Sequence, residues 1–89
     1  MSQERFFVDL AKVPRIANHW DQDKQELRVD DFEADLGVMS SGEAHLARFF
    51  AGVWLGQNKY QFDATEAAAS LDTLEMELIT SWMKQPYWP

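Results

Sequence analysis

The residues best suited to chemistry in this chain are carboxylates. Asp21, Asp23, Asp30, Asp31, Glu33 and Asp35 fall within fifteen positions, a density that invites a divalent-cation reading. An EF-hand loop needs oxygen ligands at positions 1, 3, 5 and 12, with glycine at position 6 for its sharp turn. Counted from Asp21, position 6 is Glu26 and position 12 is Phe32, and a register that places Glu33 at 12 puts Gln22 at 1. Both registers break the pattern, so these acids read as solvated charge and helix caps. His19 and His45 are the only histidines, and they form no HxxxH or HxxE pair on which a metal could converge. There is no cysteine and no GxSxG, hence no thiolate nucleophile and no nucleophile elbow. The four glycines, 37, 42, 52 and 56, are scattered singly rather than gathered into a phosphate cradle. The expectation from these patterns is therefore no catalytic residue, no metal ligand set and no cofactor.

Charge narrows the partners. The formal net charge is −7, with −5 carried by residues 21–36 and −4 by residues 63–89. Binding to phosphates calls for a stripe of Lys and Arg, so the composition disfavours direct nucleic-acid contact and an anionic membrane surface. A helix-turn-helix reading also fails: a recognition helix at 42–55 is too apolar for a groove, and one at 64–71 has no Lys or Arg. No apolar run approaches the eighteen or so residues of a membrane span. With no basic-then-apolar leader at the start, the expectation is a cytoplasmic protein.

The aromatic surplus points to contact with protein. Trp20, Trp54, Trp82, Tyr87 and Trp88 exceed what a core of 89 residues readily buries, and Trp and Tyr are enriched where interfaces hold their binding energy. Trp54 and Trp82 lie on helical apolar faces and read as core. The protein-binding residues read from the sequence are thus Tyr87 and Trp88 in the tail, with Asp30, Asp31, Glu33 and Asp35 on an acidic flank.

These residues must be positioned by helices. The stretch 42–55 places Leu46, Phe49, Phe50, Val53 and Trp54 on one broad apolar face, widened by Ala44, Ala47 and Ala51. Only His45, Arg48 and Gly52 form a stripe left for water. Ser40 with Glu43 has capping-box spacing, and Gly56 stands where a left-handed C′ residue is wanted. A helix so apolar must be covered on most of its circumference.

The remaining segments are short. Residues 3–12 predict a first helix with Ser2 as N-cap, Phe6, Phe7 and Leu10 inward, and Pro14 as its end. A helical turn through RIANHW follows. Next comes a helix over 31–36 capped by Asp30 with Glu33, Leu27 and Val29 forming an extended lead-in. A longer helix from Lys24, capped by Asp23, competes with that reading. After a polar loop, Asp63 with Glu66 opens a helix over 64–71, with Phe62 as its staple. Continuing that helix to 84 would set Glu75 in the apolar face, a costly burial. Asp72 with Glu75 instead caps a second helix over 73–84, with Leu74, Leu78, Ile79 and Trp82 packed inward. Pro86 ends it, and Tyr87 and Trp88 turn back over the core.

The expected fold is a single all-α domain over residues 1–89, a compact bundle of about five short helices around the apolar helix 42–55. The expected function is a small acidic protein-interaction module without catalytic activity, binding another protein or itself. Two alternatives remain open at this stage. One is an acidic decoy that mimics nucleic acid toward a basic DNA-binding protein. The other is a small enzyme or cation-binding protein using the Asp/Glu cluster at 21–35.

Overall fold

The structure, a computed structural model, describes residues 2–89 and the side chains from residue 3 onward. Helix α4, as numbered below, spans Ser41–Leu55 and contributes more buried residues than any other element. Its N-terminal capping box is complete: Glu43 N–H donates to Ser40 Oγ at 3.3 Å, and Ser40 N–H to Glu43 Oε1 at 3.1 Å. At the far end Gly56 adopts φ +71°, and its N–H closes onto the carbonyls of Gly52 and Val53. A side chain at that φ would be strained, which is why glycine stands there.

Around it the chain is mostly helical. In order come α1 (Ser2–Leu10), α2 (Pro14–Ala17), β1 (Trp20–Asp21), β2 (Glu26–Leu27), α3 (Val29–Leu36), α4, α5 (Ala64–Ser70) and α6 (Thr73–Lys84). None of the outer helices is long enough to be stable alone in water. Each is held by what it buries. From α1, Phe6 is fully buried, with its ring 5.8 Å from Phe50 and 5.1 Å from Trp54. From α3, Phe32 is fully buried beside Trp20 and Tyr60. Ala67 of α5 and Ile79 of α6 are buried as well. The rings meet edge-on or tilted, the arrangement their quadrupoles favour. Close approach of α5 to the start of α4 depends on Gly42: a Cβ there would lie 3.3 Å from Ser70 O and 3.4 Å from Leu71 Cδ2.

The break between α5 and α6 falls at Leu71 and Asp72, both extended. Asp72 Oδ1 accepts from Glu75 N–H at 2.8 Å, and Glu75 Oε1 accepts from Asp72 N–H at 3.1 Å. The carboxylate that would have burdened a continuous helix is thus spent on a cap.

Several expectations need correction. The fold is not purely helical: Trp20 pairs with Leu27 and Asp21 with Glu26 in a small antiparallel hairpin. Its turn is closed by Lys24 N–H donating to Asp21 Oδ1 and by Gln25 at φ +56°, so the helix from Lys24 does not form. The described residues form six helices, where about five were expected. Pro14 does not merely end α1, which stops at Leu10; it occupies the first turn of α2, where its missing N–H costs nothing. Val29 is helical rather than extended, and α3 starts after Arg28 with no side-chain cap, so Asp30 lies in the first turn instead of capping it. His45 is 6% exposed, not wet, and Leu74 is 74% exposed, not packed inward. The cap assigned to Ser2 lies outside the described side chains, and its backbone is already helical.

Two substitutions test this packing. Phe50→Ala should cost about 3–5 kcal/mol, because a fully enclosed ring leaves both lost burial and a cavity; urea denaturation will show it as a fall in midpoint or loss of the transition. Asp72→Ala should cost about 1 kcal/mol by removing a cap, whereas in an unbroken helix the same change would be neutral or favourable.

Candidate functional site

The acidic flank is only partly free. Asp30 and Asp31 stand exposed in the first turn of α3, where negative charge suits the helix dipole. Glu33 accepts a 2.8 Å hydrogen bond from the Tyr60 hydroxyl. Asp35 is engaged twice, with Arg15 Nη2 at 2.9 Å from Oδ1 and His19 Nε2 at 2.8 Å from Oδ2. Arg15 Nε also reaches Glu43 Oε2 at 3.2 Å. This network ties α2, α3 and the first turn of α4 together. Two of the four acids therefore serve the fold.

Tyr60 feels that environment. Burial first, then the hydrogen bond and charge of Glu33, raise its pKa from the ordinary 10 to about 12.

The tail divides into an anchor and a rim. Trp82 Nε1 donates to the Tyr87 carbonyl at 2.8 Å, and the Tyr87 hydroxyl donates to Asp9 Oδ2 at 3.1 Å. The Arg5 guanidinium lies 4.5 Å from the centre of the Tyr87 ring and donates to the Gln85 carbonyl. Burial foremost, then Asp9, holds the Tyr87 phenol well above its usual range, against the lowering effect of Arg5. Trp88 meets Trp82 edge-on at 5.0 Å yet stays 58% exposed. The tail thus packs on its own chain and leaves one indole facing outward.

That indole borders a cavity of about 170 Å³. Phe49 and Val53 of α4, Phe62, Trp82, Met83 and Trp88 supply its apolar lining. Phe62 is held in place by Asn58, whose Oδ1 accepts from Phe62 N–H at 2.7 Å while its Nδ2 donates to the Phe62 carbonyl at 3.2 Å. Gly52 and Arg48 line the same groove from α4, and no carboxylate does. The second hollow, of about 680 Å³ between α1 and α6, is bordered by both signs of charge, including Lys12, Lys84, Glu75 and Glu77.

Tyr87 and Trp88 are therefore separated in role, and no described contact joins either to the acids at 30–35. Arg48, Gly52, Phe62 and Met83 were not read as site residues from the sequence. Gly52 was the available signal, since glycine inside a helix lowers stability and asks for a reason.

His19 is committed to Asp35, and His45 is buried with Nδ1 unpartnered. Among the described residues no three His, Asp or Glu side chains gather into a group able to hold a metal ion, and no helix is long and apolar enough to cross a membrane. No protein-family model matches the chain, and neither a curated protein nor a solved structure matches it. Function must be read from the geometry.

The Tyr60 contact makes a pH prediction. The folded state holds this proton more tightly than the unfolded chain, so the stabilisation is complete below pH 10 and is lost as pH rises from 10 to about 12. In a Tyr87→Phe background, phenolate absorbance should show Tyr60 ionising near pH 12, and Glu33→Gln should move that ionisation downward.

Proposed function

We propose that this protein is a non-catalytic binding module whose apolar groove receives a large side chain from a protein partner. The observation that carries the reading is the groove itself. An apolar cavity of about 170 Å³ lies open beside Trp88, 58% exposed, and Met83, 48% exposed. Small-molecule and cofactor sites occupy about 300–1,000 Å³, so the space suits a single side chain better than a cofactor. An exposed Trp beside an apolar pocket has the character of an interface hot spot, and methionine lets such a surface adapt to its guest.

Gly52 supports the same reading. In a helix interior glycine costs roughly 0.5–1 kcal/mol relative to alanine. Packing does not demand it: a Cβ there would meet Gln57 O at 3.5 Å and Asn58 at 3.9 Å, ordinary contacts. A residue that weakens α4 without a steric need, on the wall of the groove, fits stability given up to keep the groove open.

The decoy reading has less to stand on. It needs unshielded negative charge, whereas Glu33 and Asp35 are tied to Tyr60, Arg15 and His19. The net charge of −7 then acts at longer range, favouring encounters with partners that are basic overall.

Selection from a random peptide library displays the preference directly. The wild-type protein should enrich sequences sharing a large apolar residue, and Trp88→Ala should lose them while remaining folded. Enrichment untouched by Trp88→Ala, or no enrichment at all, would contradict the reading. Gly52→Ala separates fold from function: it should stabilise the protein by about 0.5–1 kcal/mol in urea denaturation while weakening capture of the enriched peptides.

A further inference from the structure

The groove is lined by one cation, Arg48, and no described side chain or carbonyl pairs with it. Of the four arginines, Arg15 pairs with Asp35 and Glu43, and Arg28 faces Asp21. Arg5 donates to the Gln85 carbonyl and lies over Tyr87. Arg48 alone has no hydrogen-bond, ionic or aromatic partner among the described residues. It does so in a chain with 15 acids to 8 bases, on a groove that no carboxylate lines. A guanidinium offers five N–H donors in a planar fork matched to a carboxylate. Half-buried beside Phe49 and Gly52, it is less screened by water and salt than a freely exposed pair.

Resting on the groove reading above, we propose that the partner segment presents a large apolar side chain beside a carboxylate. The side chain fills the space among Phe62, Trp82 and Trp88, and the Asp or Glu pairs with Arg48. Apolar burial provides the attraction, and Arg48 selects among apolar segments by their neighbouring charge. This local preference coexists with the acidic field of the whole chain, since steering acts at a distance and the pair forms only on contact. A second copy of the chain is the weaker occupant, because two bodies of charge −7 repel.

The test uses three acetylated, amidated pentapeptides with a central leucine flanked by glutamate, glutamine or lysine, titrated to millimolar concentration. Binding is followed by NMR at the Trp82 and Trp88 indole N–H and the Arg48 Nε–H signals. The glutamate peptide should shift these signals saturably and bind about tenfold more tightly than the glutamine peptide, the difference expected of one charge-assisted hydrogen bond. Arg48→Gln should erase that preference, and Arg48→Lys should restore part of it. Equal binding of glutamate and glutamine peptides, unaltered by Arg48→Gln, would overturn the carboxylate assignment while leaving the groove reading intact. Preference for the lysine peptide would overturn it in favour of a basic segment. Groove shifts that depend on protein concentration alone would assign the site to a second copy. If no peptide moves the groove signals, the groove reading fails with it.

Discussion

A helix apolar on nearly every side cannot be stable until other segments surround it. Ala44, His45, Leu46, Ala47, Phe49, Phe50, Ala51 and Val53 are all buried along the fifteen residues of α4. Burial at about 25 cal/mol per Å² makes that face the main source of stability in so small a chain. The outer helices, of four to twelve residues, have little strength of their own. Their positions follow from which ring or methyl group each can lay against the core. The capping boxes, the Asp35 network and the Asn58–Phe62 hydrogen bonds fix how those short covers start, stop and connect.

Covering α4 with short pieces leaves a seam near its C-terminal end. Gly52 adds no side chain there, the loop after Gly56 is tied to itself by the Asn58–Phe62 hydrogen bonds, and α6, packed on the core through Ile79, reaches this end with Trp82 and the tail. The groove is what remains between them. The tail itself is pinned through Tyr87 to α1, so Trp88 is presented on a fixed base. Preorganisation of that kind would lower the cost of the proposed binding, because less ordering would remain to be done on contact.

Much of this was legible in the sequence. The period of Leu46, Phe49, Phe50 and Val53 marked α4, and Ser40, Glu43 and Gly56 marked its ends, because capping is a local chemistry of a few adjacent residues. The Asp72–Glu75 box was readable for the same reason. The hairpin was not: strands of two residues are too short to show alternation, and its turn depends on an Asp21 carboxylate and a left-handed Gln25. His45 and Leu74 were misjudged because a helical wheel gives angles but not neighbours. The groove was hidden for a deeper reason. Arg48, Phe62, Met83 and Trp88 are separated by up to forty positions, and only the path of the chain unites them.

For the groove to bind as proposed, the space between Phe62, Trp82 and Trp88 must be open and receptive in solution. Small apolar probes such as isopropanol and phenol, added to isotope-labelled protein, report this through nuclear Overhauser effects. The prediction is contacts concentrated on the Met83 methyl, the Phe62 ring and the Trp88 indole. Probes that settle elsewhere, together with a Trp88 ring shown by its own Overhauser contacts to lie folded down over Phe49 and Val53, would contradict it.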